Sequence, residues 1–150
     1  MSSTKSMVIL MADDDADDRL LAKDALNECK ITNALHFVEN GEELLDYLRQ
    51  EGKYASLANT PRPGLILLDL NMPRKDGREA LQEIKADPKL RSIPVVVLTT
   101  SKAETDISRI YELGANSFIT KPVSFDALIK VMSELVHYWF ELVELPPQKS

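Results

Sequence analysis

Short apolar runs that alternate with longer amphipathic segments constrain this 150-residue chain more than any other feature. Each run is too short for a buried helix but long enough for a β-strand. The runs are Met7–Ala12, Leu35–Val38, Leu65–Leu68, Val95–Leu98 and Ser117–Ile119. Three of them are nearly all apolar, which is typical of parallel strands covered by helices on both faces. The alternation predicts an α/β fold with a doubly wound, five-stranded parallel sheet and five helices.

The segments between the runs show the 3.6-residue periodicity of amphipathic helices. Asp15 and Ser124 stand where helix N-caps are expected, and Gly114 stands where a helix C-terminus favours glycine. The longest irregular stretch is Glu51–Gly64. It lies inside the alternation, so we expect a surface loop there rather than a linker between domains.

Charged residues follow three of the apolar runs. Asp13 and Asp14 follow the first run, Asp69 the third and Lys121 the fifth. In a doubly wound sheet the carboxyl ends of the strands form the ligand-binding edge. Carboxylates crowded there need a neutralising cation, and their oxygens suit a hard cation such as Mg²⁺. A carboxylate beside such a metal can take a phosphoryl group, which makes Asp69 the natural nucleophile.

The residues around these positions form five motifs in order. They are Met11-Ala12-Asp13-Asp14-Asp15, Leu67-Leu68-Asp69-Leu70-Asn71-Met72-Pro73 with Asp76-Gly77 behind it, Pro94–Thr99, Gly114-Ala115, and Phe118-Ile119-Thr120-Lys121-Pro122. Through them the chain resembles the receiver domain of two-component response regulators from about Met7 to Val143. Three further segments make it similar to the stand-alone regulators paired with phytochrome-type histidine kinases. These segments are Tyr47–Tyr54, Leu98–Lys102 and Tyr138–Phe140.

This resemblance implies a (βα)5 flavodoxin-like receiver fold, Mg²⁺ as cofactor and a sensor histidine kinase as partner. Asp69 would be the phosphoacceptor. Asp14, Asp69 and the backbone carbonyl of Asn71 would bind the metal directly, and Asp13 would bind it through water.

The resemblance also implies which residues respond to the phosphoryl group. Lys121 would point its ammonium at that group, and in the family the peptide bond before Pro122 is cis. Thr99 and Thr100 end the fourth predicted strand, and the Thr99 hydroxyl would bind a phosphoryl oxygen. Phe118 resembles the aromatic residue that turns inward when this threonine moves.

The acidic residues also allow other interpretations. The run from Asp13 fits a calcium loop only in part, because Asp18 stands where the turn glycine belongs. An aspartyl-phosphate hydrolase needs an acid two residues after its nucleophile, where this chain has the amide of Asn71. A phosphorelay intermediate, which passes the group to a second histidine protein, stays open beside a single-domain response regulator.

Charge, cysteine content and length set the remaining expectations. The net charge of −6 argues against a nucleic-acid surface, and one cysteine cannot form an intrachain disulfide, which favours the cytoplasm. No run approaches the roughly 20 apolar residues of a membrane span. We expect a single receiver domain over residues 1–150, with its core at about 7–143, a short polar N-terminus, a tail at 144–150 and no output domain. Its output would then be a changed surface read by an unknown downstream protein, with neither nucleic acid nor membrane as a partner.

The predicted last helix keeps an apolar stripe over about five turns, longer than covering the sheet requires. The stripe consists of Phe125, Leu128, Ile129, Met132, Leu135, Val136, Trp139, Phe140 and Val143. Its end either folds back over the core or forms an association surface. Because receivers signal through the face formed by their last helices, we predict a homodimer built partly on this tail.

Overall fold

A computed structural model describes residues 8–29, 34–57, 60, 62–99 and 104–139. Strands and helices alternate through these residues. In chain order they are β1 Ile9–Ala12, α1 Ala16–Glu28, β2 Leu35–Val38, α2 Gly41–Arg49, β3 Leu65–Leu68, α3 Gly77–Ala86, β4 Val95–Thr99, α4 Glu104–Glu112, β5 Ser117–Thr120 and α5 Phe125–His137. The predicted alternation of five strands and five helices is confirmed.

All strand pairs are parallel, and the strand order across the sheet is β2-β1-β3-β4-β5. Successive residues along each strand point to opposite faces, so each central strand contributes to two separate cores. On one face Leu10, Ile66 and Val97 pack with α2, α3 and α4. On the other face Met11, Leu67 and Leu98 pack with α1 and α5. The sheet is therefore doubly wound. The direction in which successive strands are added to the sheet changes between β1 and β3, which is its topological switch point.

The helix ends follow local signals in the sequence. Asp15 caps α1 by accepting hydrogen bonds from the backbone N–H groups of Asp17 and Asp18, and Ser124 caps α5 through Ala127 N–H. Both predicted caps are confirmed. Gly114 follows α4 with a φ of 107°, a left-handed conformation that glycine adopts without steric cost.

The stretch 51–64 differs from the predicted irregular loop. A 3-10 helix spans Gly52–Leu57, and Tyr54 in it packs against the core under α2. The hydroxyl of Tyr54 donates to Glu43 Oε2 at 2.7 Å, which ties this segment to α2. The Tyr54 ring and the Glu43 carboxylate on α2 thus order one part of a stretch whose polar residues and two later prolines, Pro61 and Pro63, predict a loop.

The apolar stripe of α5 is partly used by the fold itself. Met132, Leu135, Val136 and Trp139 are buried in the core formed with α1. Residues 140–150, on which the rest of the predicted association surface falls, lie outside the described residues. No helix in the described part of the chain is long and apolar enough to cross a membrane.

Candidate metal and phosphoryl site

The charged residues predicted from the sequence meet at the carboxyl edge of the sheet. Asp13 follows β1 and Asp69 follows the adjacent β3, with Asp69 N–H donating to Ala12 O at 3.0 Å. Lys121 follows β5, and its N–H donates to Thr99 O at the end of β4 at 2.8 Å. The backbone hydrogen bonds between the strands thus extend to the first residue after β3 and after β5. They fix the backbone positions of Asp69 and Lys121 in the site.

Asp13, Asp14 and Asp69 form an acidic cluster. Each offers a carboxylate oxygen, and the three oxygens lie within 4.8 Å of one another. Asp13 is fully buried and Asp69 nearly so, whereas Asp14 is exposed. This is the single group of three or more potential metal ligands in the described residues. Oxygen donors at this spacing fit a hard divalent cation that keeps part of its water shell, as Mg²⁺ does.

Burial makes the negative charge of Asp13 costly. It raises the pKa of this carboxyl above the ordinary value of 3.8 and outweighs the hydrogen bonds from Lys121 and from Asp15 N–H, which act in the opposite direction. The neighbouring charge of Asp69 raises the pKa further. The cluster therefore gains from any cation that shares its space.

Lys121 supplies one such positive charge. Its Nζ lies 2.7 Å from Asp18 Oδ2, 2.8 Å from Asp13 Oδ2 and 3.4 Å from Asp69 Oδ2. Burial by itself would lower the pKa of this ammonium, but the bonds to Asp13 and Asp18, together with the charge of Asp69, raise it above its ordinary value. Lys121 is therefore held charged inside the acidic cluster.

The expectation of a cis peptide bond before Pro122 is wrong. The described residues contain no cis peptide, so this bond is trans. The trans isomer is the intrinsically favoured form of an X–Pro bond.

Asp18 is a site residue that sequence reasoning missed. It lies in the first turn of α1, and its carboxylate makes the shortest of the three contacts to the Lys121 ammonium. The available signal was the number of acids in the run from Asp13, five in six residues. Which of them faces the lysine depends on the rotation of α1 against β5, and that is a tertiary property. Arg19 is a second addition, since its Nη1 donates to the carbonyl of Asp13 at 2.8 Å.

The loop between β3 and α3 is shaped by Gly77. A Cβ at this position would lie 2.3 Å from the carbonyl oxygen of Asp69, which no real side chain could do without a shift. The Gly77 N–H donates to Leu70 O at 2.9 Å, and Asp76 closes a capping box with Glu79 at the start of α3. Asn71 lies exposed in this loop, with its N–H 3.4 Å from Asp69 Oδ1. The loop thus brings the backbone of Gly77 into close contact with that of Asp69 and places Asn71 next to the Asp69 carboxylate.

Thr99 carries a buried hydroxyl with no partner. It ends β4 fully buried, and its Oγ1 is the single buried side-chain polar atom without a hydrogen bond among the described residues. Burying such an atom without a hydrogen bond costs free energy, so a new hydrogen bond at this hydroxyl would be favourable. Phe118 in β5 is half-buried, packs against the core beside α4, and its N–H donates to Tyr111 Oη at 3.0 Å. The prediction for Thr100 falls outside the described residues.

Comparison with known proteins gives one consistent family. Residues 9–133 match the family described as "Response regulator receiver domain". The chain is 43% identical over 144 residues to the response regulator Rcp1 of Synechocystis sp., covering 96% of this chain and 96% of that protein.

Two solved structures are also similar. The phosphorylated cyanobacterial phytochrome response regulator RcpA matches with a TM-score of 0.86 and 43% identity, over 94% of this chain and 99% of that one. The Mn²⁺-bound form of Rcp1 matches with a TM-score of 0.84 and 43% identity, over the same shares of the two chains.

Proposed function

The chain belongs to the response regulator receiver domains, which accept a phosphoryl group and bind Mg²⁺ at an acidic cluster, and we propose that Asp69 is the phosphoacceptor in this protein. The observation that carries the proposal is the placement of Asp69 beside two other carboxylates and the Lys121 ammonium. A sensor histidine kinase supplies the phosphoryl group.

In the transfer, a carboxylate oxygen of Asp69 attacks the phosphorus of a phosphohistidine in line. The new O–P bond forms as the N–P bond breaks, and the imidazole leaves with the electron pair of that bond. Lys121 stabilises negative charge on the phosphoryl oxygens because its Nζ already lies 3.4 Å from Asp69 Oδ2. Asp14, Asp69 and the Asn71 carbonyl would hold Mg²⁺ directly and Asp13 through water. Bound there, the metal would neutralise the carboxylates and polarise the phosphoryl oxygens.

The phosphoryl signal leaves the site through Thr99 and Phe118. Phosphorylation adds charge and acceptor oxygens beside a threonine hydroxyl that lacks a hydrogen bond. When Thr99 moves to donate to a phosphoryl oxygen, Phe118 turns into the space beside it, and the surface around α4, β5 and α5 changes. We include Thr100 with Thr99 as a phosphoryl-binding residue on the sequence motif alone.

The product is a signal rather than a turned-over substrate. Receiver domains generally signal rather than catalyse. Asn71 stands two residues after Asp69, where a hydrolase would need an acid, and an amide cannot shuttle protons. The acyl phosphate therefore persists long enough for a partner to read the changed surface.

The kinase partner is of the phytochrome type. This assignment rests on RcpA, which is described as a phytochrome response regulator and aligns with 94% of the chain. The downstream partner is a protein, since a net charge of −6 disfavours nucleic acid. We propose that the protein meets both the kinase and the downstream protein in the cytoplasm. Residues 1–150 would form a single domain that acts through its surface.

We further propose that the protein forms a homodimer through the face of α5 and the residues that follow it. Phe125 at the start of α5 is 37% exposed, Tyr138 just after its end is 52% exposed, and Val123 just before it is fully exposed. Light scattering after chromatography should give the mass of a dimer, and Tyr138→Ser should weaken it. A monomer at high micromolar concentration, with and without a phosphoryl mimic, would contradict this part of the proposal.

The phosphoacceptor is tested by transfer from a purified, autophosphorylated histidine kinase of the phytochrome type. Radiolabel should move to the wild-type protein within minutes in the presence of Mg²⁺ and should not move to Asp69→Asn. Asp17→Asn is the matched control, because it removes an equally charged, exposed side chain near the site without touching the cluster. Equal labelling of Asp69→Asn and wild type would refute the assignment.

A further inference from the structure

Asp18 lies in the site without a role in the transfer described above. Its Oδ2 is 2.7 Å from Lys121 Nζ, whereas Asp69 Oδ2 is 3.4 Å from the same atom. The Asp18 side chain is 35% exposed and projects from the first turn of α1, whose start is fixed by the Asp15 cap. In this structure the lysine is thus bound more closely by an acid on the neighbouring helix than by the phosphoacceptor.

An ammonium has three N–H donors and no acceptor. In Lys121 all three face carboxylates, those of Asp13, Asp18 and Asp69. A phosphoryl group on Asp69 brings oxygens that compete for these donors. The ammonium moves toward them only if it loosens another contact. Asp13 is fully buried and its carboxylate cannot regain bulk water if this contact is lost, whereas Asp18 is partly exposed and regains water when released. The Asp18 contact is therefore the one that gives way.

We propose that Asp18 is a positioning residue that holds Lys121 back in the unphosphorylated protein and is exchanged for a phosphoryl oxygen when Asp69 is phosphorylated. This inference rests on the proposed function of Asp69. Asp18 thereby opposes phosphorylation, since the energy of its ion pair has to be given up each time. Its release also leaves an unpaired carboxylate on α1, next to the end of β5.

The rate of phosphorylation by acetyl phosphate with Mg²⁺ tests the exchange. In this reaction an Asp69 oxygen forms the O–P bond while the P–O bond to acetate breaks and acetate leaves. Asp18→Asn keeps the side-chain size and removes the charge, so Lys121 is free to turn to the incoming group. We expect the rate to rise about fivefold to tenfold, which corresponds to about 1–1.4 kcal/mol. Asp18→Glu restores the negatively charged carboxylate and should restore a rate near that of wild type.

Two controls separate capture of the lysine from a general loss of negative charge. Asp17→Asn removes the same charge from the same helix turn, but Asp17 is exposed and does not contact Lys121. It should change the rate less than twofold. In a Lys121→Met background, Asp18→Asn should have no further effect. Equal acceleration by Asp17→Asn and Asp18→Asn, or a full effect without Lys121, would overturn the inference.

An equilibrium measurement adds a readout that does not depend on turnover. Calorimetric titration with beryllofluoride and Mg²⁺, a stable mimic of the phosphoryl group, should show tighter binding to Asp18→Asn by the same factor. The ¹⁵N resonance of the Lys121 ammonium should shift on this titration in wild type, and Asp18→Asn without the mimic should already be shifted. If wild type takes up neither phosphoryl group nor mimic, the proposed function fails. If wild type takes up both and Asp18→Asn matches it, only the role of Asp18 fails.

Discussion

Replacing Lys121 with methionine should destabilise the metal-free protein by leaving Asp13 buried without a cation. The two charged atoms are 2.8 Å apart, and their side chains are 14% and 0% exposed. Their attraction at an effective dielectric constant near 20 is about 6 kcal/mol, but breaking such a pair typically costs 3–5 kcal/mol because desolvation offsets part of it. Burial already raises the pKa of Asp13, so protonation limits the loss. We therefore expect the lower end, about 3 kcal/mol.

Urea unfolding at neutral pH with a chelator measures this loss of unfolding free energy. In thermal unfolding under the same conditions, the melting temperature should fall by about 6–12 °C. The double variant Lys121→Met with Asp13→Asn should recover most of it, because no buried charge is then left alone. The stability lost by Lys121→Met should also become smaller at mildly acidic pH, where Asp13 takes up a proton in this variant. A loss below about 1 kcal/mol, or additive effects in the double variant, would show that the ammonium does not neutralise Asp13.

Three further outcomes follow from the same site. Mg²⁺ in about a hundredfold excess over its dissociation constant should stabilise the wild type by about 2.7 kcal/mol, and an unchanged gain in Asp14→Ala would contradict a ligand role for that residue. Gly77→Ala should lose about 1–3 kcal/mol in urea unfolding because its Cβ would meet the Asp69 carbonyl, and a neutral effect would contradict the close approach. The pKa of Asp13 is raised on folding, so its carboxyl lowers stability as the pH rises above 3.8 through the folded-state pKa. Without metal, the stability of Asp13→Asn relative to wild type should therefore increase as the pH rises across that window. A difference in urea midpoint between the two proteins that stays constant with pH would refute the raised pKa.

The fold could be predicted from the sequence because its strongest signal is repetitive. Runs such as Leu65–Leu68 are wholly buried as a central parallel strand, and the helices between them have one apolar face each. The position of the site could be predicted from the same pattern, since the charged residues follow the ends of the runs. Strand ends of one parallel sheet have a fixed relation in space, and so the order of the runs is enough to bring Lys121 and Asp69 to the same edge.

What the sequence did not predict depends on rotation and packing between elements. The contact of Asp18 with Lys121 requires a particular rotation of α1, and five neighbouring aspartates offer no local signal for it. The order in Gly52–Leu57 comes from Tyr54 packing across α2. The burial of Trp139 against α1 likewise depends on the tilt of α5, which the periodicity of its stripe does not define.

Locating the phosphoryl group on the chain tests directly whether Asp69 is the phosphoacceptor. The protein is treated with acetyl phosphate and Mg²⁺, the acyl phosphate is reduced with borohydride to an alcohol, and the peptides are mapped by mass spectrometry. We predict one addition per chain in intact mass, with the reduced residue at Asp69, and none in Asp69→Asn or with a chelator present. Modification at Asp13 or Asp14, or a stable phosphate on serine, threonine or histidine, would contradict the assignment of Asp69 as the phosphoacceptor.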